Sequence, residues 1–482
     1  MNHRRGFFQN AFGMGAGLFS ASRIKAERVL RDPTVSGQPV PVQSPDVENL
    51  PFTLDNGVKV FHLIMEPVKQ QIAPNKILDL WGFNGSAPGP TIQVTQGDRV
   101  RIIVDNHLPE PTSMHWHGFE IPHDMDGGPG ISQDPIKPGG RFTYEFTLHQ
   151  DGTYFYHSHM AMQEMMGTLG AFIMHPKQAY TPAVDKDFVV LLQEYAVLPN
   201  NSIPNTMNME FNWLVLNGKA GPATTPLIVR LGDRVRIRMV NLGMDHHPIH
   251  LHGHTFHTTG TEGGRIPESA WIPGNTVLVG VAQARDVEFV ANNPGAWMLH
   301  CHLPHHMMNQ MSSNVGPMSR MGRGMPAGAD MNLGMGMLNG TPGAPMGEDY
   351  GPGLGRGLGV GSTNDKTVAN TPLSMSKGVT AMPGMHDMGP TMGGDIAPDA
   401  NRVPGFPQDA YMEGSMMAMD EMVKKPQNYG LRPGWSGFMQ GMMTFVRVLP
   451  PDRYDQVMEQ IRQGQPMNMP EMQHTMSHEE ER

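Results

Sequence analysis

The chain has 482 residues, a formal net charge of -10 at neutral pH and a single cysteine. That balance leaves no basic footprint for nucleic acid or an anionic membrane surface, and one cysteine excludes any internal disulfide. Glycine (57), proline (43) and methionine (43) far exceed ordinary usage, and 25 of the methionines follow residue 315, so the well-mixed, core-forming part is about 45–315.

Residues 1–30 read as an export signal. Arg4 and Arg5 precede Phe7, Phe8 and a short Gly/Ala-rich apolar run, which is the twin-arginine pattern and predicts a periplasmic or secreted mature protein. No later stretch reaches the ~18 apolar residues of a spanning helix, so no membrane span is expected.

Two copies of one unit follow. Residues 83–106 (FNGSAPGPTIQVTQGDRVRIIVDN) and 216–241 (LNGKAGPATTPLIVRLGDRVRIRMVN) each end in a strand of alternating branched and charged residues after a Gly-Asp turn. GTYFYHSH at 152–159 is echoed by GAWMLHCH at 295–302. Short strands, frequent Gly/Pro turns and little helical periodicity predict an all-β chain of two β-sandwich or Greek-key domains, 45–178 and 185–315.

When the copies are aligned on Gly97 and Gly232, their histidines coincide. His115 and His117 lie 18 and 20 residues after Gly97, His250 and His252 the same after Gly232, and His157 and His159 match His300 and His302. Side chains at i and i+2 share a strand face, so each His-x-His pair offers two imidazoles to one place. Eight imidazoles are too many for one metal and suit a multinuclear copper site. Cys301, between His300 and His302, must point the other way, where His247, His306 and Met311 can join it. One thiolate, two imidazoles and a weak thioether are the ligands of a blue copper site for one-electron transfer. The flanking histidines also make a short covalent path between the two centres.

HWHG at 115–118, HSH at 157–159, HPIHLHG at 247–253 and HCHLPHHMMNQM at 300–311 together resemble the multicopper oxidases that include laccases. The resemblance implies two cupredoxin-like Greek-key domains and copper as cofactor: one type 1, one type 2 and two type 3 ions per functional unit. It assigns His115 and His250 to type 2 copper. His117, His157, His159, His252, His300 and His302 go to the type 3 pair, and His247, Cys301, His306 and Met311 to type 1 copper. A reducing substrate would then give electrons at the type 1 site, Cys301 with His300 and His302 would relay them, and O2 would be reduced to water at the trinuclear cluster. Asp126, in MDGGPG, resembles the family's acid near the type 2 site, although an acidic residue in a Gly-rich turn reads equally well as turn chemistry.

The first unit has Thr112, Ser158, Gln163 and Thr168 where the second has type 1 ligands, so only the second is expected to hold that copper. The stretch from His159 to His247 is too short for a middle domain. The chain therefore resembles a two-domain laccase, in which the cluster lies between subunits and a homotrimer is expected.

The remainder, 316–405, is rich in glycine and methionine with few branched core residues, and is expected to be a largely disordered tail. Its thioethers suit Cu(I). Residues 406–482 read as a C-terminal extension with a short amphipathic element around 438–463 that docks on the body. The expected electron donor is a phenol, as in laccases, with Cu(I) as the alternative, as in copper tolerance with the tail collecting the ion. A non-catalytic copper store is a third reading, against which the complete ligand set argues. A copper nitrite reductase, with its mononuclear catalytic copper, would leave most of the histidines unexplained.

Overall fold

Alternation of apolar and polar residues marks strands that bury one face, as at 58–65 and 141–147, whereas the strands at 152–158, 186–195 and 443–449 are buried along almost their whole length. In a computed structural model the described residues are 37–307, apart from 75, 161, 198–200 and 207–210, together with 420–463. They all fall in one compact unit. The export segment, Met311 and the whole of 316–405 lie outside the described residues.

The first half forms two sheets. β1 (Thr53–Asp55), β2 (Val58–Ala73), β3 (Lys76–Phe83), β5 (Arg99–Asn106) and β7 (Arg141–Thr147) make one, and β4 (Ile92–Thr95), β9 (Leu169–His175), β8 (Gly152–Ser158) and β6 (Met114–His117), in that spatial order, make the other. Phe61, Trp116, Tyr144, Tyr156 and Phe172 fill the space between them. Such aromatic payloads dominate core energetics.

The second half repeats the plan. β11 (Trp213–Leu216), β10 (Lys186–Tyr195), β13 (Arg234–Asn241), β19 (Gln283–Val290), β15 (Phe256–Thr261) and β16 (Gly264–Arg265) run across one sheet, with β17 (Ile272–Gly274) also on β15. The facing sheet is ordered β12 (Leu227–Arg230), β21 (Met443–Leu449), β20 (Gly295–Cys301), β14 (His247–Leu251) and β18 (Thr276–Val279). The parallel pairs β2/β5 and β10/β13 occupy the same place in each half, as do β4/β9 and β12/β21.

β21 corrects the domain boundaries expected from sequence. The second domain does not close at residue 315, and residues 406–482 are not simply an appendage. The chain is described as far as Met307 and again from residue 420, and β21 lies between β12 and β20. The helix α1 (Pro451–Gln463) follows at once and rests its buried Val457 against Ile228 and Leu449. The Met-rich stretch is thus an insertion within the second domain's sequence. The repeat pattern hides this, because the insertion separates two strands that are close in sequence in the first copy.

Candidate metal centres

Strand pairing brings the predicted histidines together as two quartets, one per half. In the first, β6 and β8 set His115 opposite His157, with His117 and His159 on the same side. The His115 ring lies 5.5, 5.3 and 5.2 Å from those of His117, His157 and His159. In the second, β14 and β20 set His250 opposite His300. The His250 ring lies 4.8, 5.6 and 5.4 Å from those of His252, His300 and His302. Among the described residues no ring contact joins one quartet to the other, and His159 and His302 are exposed.

Backbone carbonyls choose which nitrogen of each ring is free. Nδ1 of His115 donates to Asp126 O at 2.8 Å, His157 to Ser158 O at 2.9 Å, His250 to Asn275 O at 2.7 Å and His300 to Cys301 O at 2.7 Å. A proton held on Nδ1 leaves Nε2 bare as a ligand atom, which is how metal-binding histidines are oriented. The freed nitrogens face further imidazoles, with His117 Nδ1 3.4 Å from His157 Nε2 and His252 Nε2 3.0 Å from His300 Nε2. Burial lowers His117 to about 4 and His157 to about 3, and also lowers His252 and His300. At neutral pH these rings are uncharged and their lone pairs available. The donor set fits copper.

Asp126 meets His115 mainly through its backbone carbonyl, its carboxylate lying 3.5 Å from the same Nδ1. A carboxylate not anticipated from sequence, Glu164, stands 3.3 Å from His157 Nδ1, and burial raises it to about 7.

The strand face opposite the second quartet holds the thiol. Cys301 pairs with Ile249, one residue out of phase with the His250–His300 pair, and so points into the second domain's core. Its Sγ is 3.7 Å from His247 Nδ1 and 3.6 Å from His306 Nδ1, which are themselves 3.2 Å apart, and all three residues are buried. Burial pushes the thiol up to about 12, so a thiolate here needs a cation beside it. Both imidazoles are held from behind by carboxylates, His247 Nε2 by Glu194 at 3.1 Å and His306 Nε2 by Asp245 at 3.3 Å.

The fourth type 1 position has a candidate among the described residues. Met442 is fully buried in the same apolar cluster as Cys301, its N–H donates to His306 O at 3.0 Å, and its carbonyl accepts from Cys301 N at 3.0 Å. Ser158 N makes the same bond to Thr168 O at 3.0 Å, so by hydrogen-bond position Met442 matches Thr168. The signal is present in the sequence, since GMMTFV at 441–446 follows the plan of GTLGAF at 167–172. In the first domain Thr112, Ser158 and Gln163 simply bond one another, at 2.7–3.1 Å. If Met442 would supply the fourth ligand, Met442→Leu shifts the visible and EPR spectra of the copper-loaded protein and Met311→Leu leaves them unchanged. The reverse pattern would return the role to Met311.

Two family models described as multicopper oxidase match the chain, over residues 66–179 and 197–317. Copper resistance protein A of Escherichia coli is 42% identical over 113 residues, covering 23% of this chain and 19% of that protein. The multicopper oxidase MmcO of Mycobacterium tuberculosis is 27% identical over 327 residues, covering 60% of this chain and 61% of its own length. This chain thus spans less than two thirds of both relatives. Among solved structures, the blue copper oxidase of Nitrosomonas europaea is 32% identical, with a TM-score of 0.48, over 52% of this chain and 80% of that one. With both repeats matched by its models and the candidate ligand residues assembled in both, the chain belongs to the multicopper oxidase family.

Proposed function

We propose that the protein couples one-electron oxidation of a small donor to reduction of O2 to water, and that it does so as a homotrimer exported to the periplasm or cell exterior. The observation that carries the oxidase reading is the pairing of a buried Cys-His-His site with two histidine quartets on one strand framework. When bound, copper would supply one-electron acceptance beside Cys301 and the reduction of dioxygen at the histidines. The chain's own part is positional. Carbonyls aim the imidazoles, burial keeps them neutral, and His300–Cys301–His302 covalently link the thiol to the second quartet. The His300 Nδ1 bond to Cys301 O adds a second link.

Support for the trimer comes from the two separate quartets. Each carries one exposed histidine and lacks the partners a trinuclear cluster needs, which a neighbouring copy would bring by a head-to-tail contact that closes a ring. One variant carrying His115→Ala and His157→Ala, and another carrying His250→Ala and His300→Ala, are each expected to show no oxygen uptake. Co-expressed, they should regain it, because mixed assemblies contain intact quartet pairs. A cluster built within one chain would give no recovery.

For the donor, two features favour a soft cation over a neutral phenol. His247 and His306 are 0% and 1% exposed, so neither ring edge meets solvent. The outward groups beside them are the Asp245 carboxylate and the exposed thioether of Met244, and 18 of the chain's 43 methionines lie in the insertion 308–419 that starts next to His306. Cuprous ion is the donor that this chemistry suits.

A further inference from the structure

We propose that Glu194 is a positioning residue of the type 1 site: its buried carboxylate locks the tautomer of His247 and holds the copper couple toward its oxidised form, so the oxidase runs on readily oxidised donors. This rests on the reading above, that His247, Cys301 and His306 hold copper.

Glu194 lies near the end of β10 and is fully buried. One carboxylate oxygen is 3.1 Å from His247 Nε2, and the other accepts the backbone N–H groups of Met244 and of Asp245, the latter at 2.9 Å. Two backbone N–H groups and a ring nitrogen of His247 converge on one carboxyl, surroundings that suit an acceptor-only carboxylate. In the neutral ring, an Nε2 proton donated to Glu194 leaves the Nδ1 lone pair facing Cys301 and His306. The turn is built around the carboxylate: a Cβ on Gly243 would lie 2.0 Å from one of its oxygens.

The acid accompanies the copper ligands, not the fold. Leu192 pairs with Leu216, and Met65 with Phe83, so by register Glu194 in the second domain corresponds to Pro67 in the first. The first domain keeps the strands, yet has Thr112, Ser158 and Gln163 bonded together in place of the ligands, and proline where the acid would stand.

A fixed negative charge in a site that excludes water is felt far more strongly than at the surface. It favours the more positive of two metal charge states, Cu(II) over Cu(I). A neutral amide at the same place removes that preference while retaining size and an acceptor oxygen.

The test is a poised redox titration of the thiolate-to-copper absorption band in the copper-loaded full chain, comparing wild type with Glu194→Gln and recording thermal unfolding of the copper-free forms in parallel. At the wild-type midpoint potential, the ratio of oxidised to reduced copper in the variant is expected to fall at least tenfold, a rise of about 59 mV for a one-electron couple. The copper-free unfolding temperature should change little. An unmoved or lowered midpoint overturns the proposal. Should Glu194→Gln fail to fold, Glu194→Asp keeps the charge but withdraws it by one methylene, and must move the midpoint in the same direction by less; no movement there also overturns it. A wild-type chain with no such band would overturn the copper assignment and this proposal together, whereas a normal band with an immobile midpoint removes only the role of Glu194.

Discussion

A chain ended at residue 419 will lose the blue copper site, whereas a chain with 308–419 excised and bridged by a flexible Gly/Ser linker will keep it. The difference follows from β21. Met442, Val446 and Val448 are fully buried, and Phe445 and Leu449 nearly so. Fully burying one such side chain is worth about 1.5–3 kcal/mol, so losing five of them removes an amount comparable with the roughly 5–15 kcal/mol that a whole domain has in hand. Truncation would also bare the facing edges of β12 and β20, an invitation to aggregate, and would remove the Met442 carbonyl that receives Cys301 N. The excised chain retains all of this. Visible absorption, near-ultraviolet circular dichroism and oxygen uptake with a phenol and with Cu(I) read the outcome. The excised chain should keep its band and its phenol turnover while Cu(I) turnover drops several-fold, if the methionines of the insertion gather cuprous ion. A truncated chain with an intact band would refute the place of β21 in the site. Equal Cu(I) turnover in the full and excised chains would take the insertion out of the reaction.

The histidine quartets and the thiol are legible in the sequence because they depend on strand periodicity alone. Residues two apart share a face, and a duplicated unit makes the same spacing appear twice. His115 opposite His157 and His250 opposite His300 follow from that, as does the inward turn of Cys301. The fourth ligand position is harder to read, because the sequence offers Met311 five residues past His306, whereas Met442, far along the chain, is the methionine that β21 brings into the apolar cluster of Cys301. Glu194 is out of reach for a different reason. Within FVVLLQEYAVL it is one polar residue in an apolar run, and nothing local says that its carboxylate turns toward His247, whose position depends on a strand far along the chain. The alternating charges of DRVRIRMVN mark a strand, but the pattern does not reveal what covers the charged face. In the first domain Arg99 and Arg101 reach Glu145 near solvent, whereas in the second the equivalent side is buried against β8.

That burial gives the largest expected single-residue effect on stability. Arg238 is 1% exposed, and its guanidinium grips Asp187 with two bonds of 2.8 Å, reaches Thr153 of β8 at 2.7 Å and lies 3.5 Å from Asp286, which Thr153 also contacts at 2.7 Å. One cation thus ties three strands of the second domain to the first. Replacing it by methionine leaves Asp187 and Asp286 buried without this partner, and breaking a buried pair in this way costs about 3–5 kcal/mol. Urea unfolding of Arg238→Met should show that loss, and adding Asp187→Asn and Asp286→Asn should recover much of it, because the penalty lies in the stranded carboxylates more than in the lost attraction. A triple variant no more stable than the single one would mean that the bonds to Thr153 and the shape of the guanidinium matter most. The neighbouring Glu288 adds a pH signature. Burial works to raise it, but Arg236 and Arg265 outweigh burial and bring it from 4.5 down to about 2. A carboxyl lowered on folding stabilises the protein above its unfolded value, so this contribution is complete above about pH 4.5 and is lost as the pH falls toward 2. Arg236→Gln should flatten that part of the acid-unfolding curve, and an unchanged curve would place the acid sensitivity elsewhere.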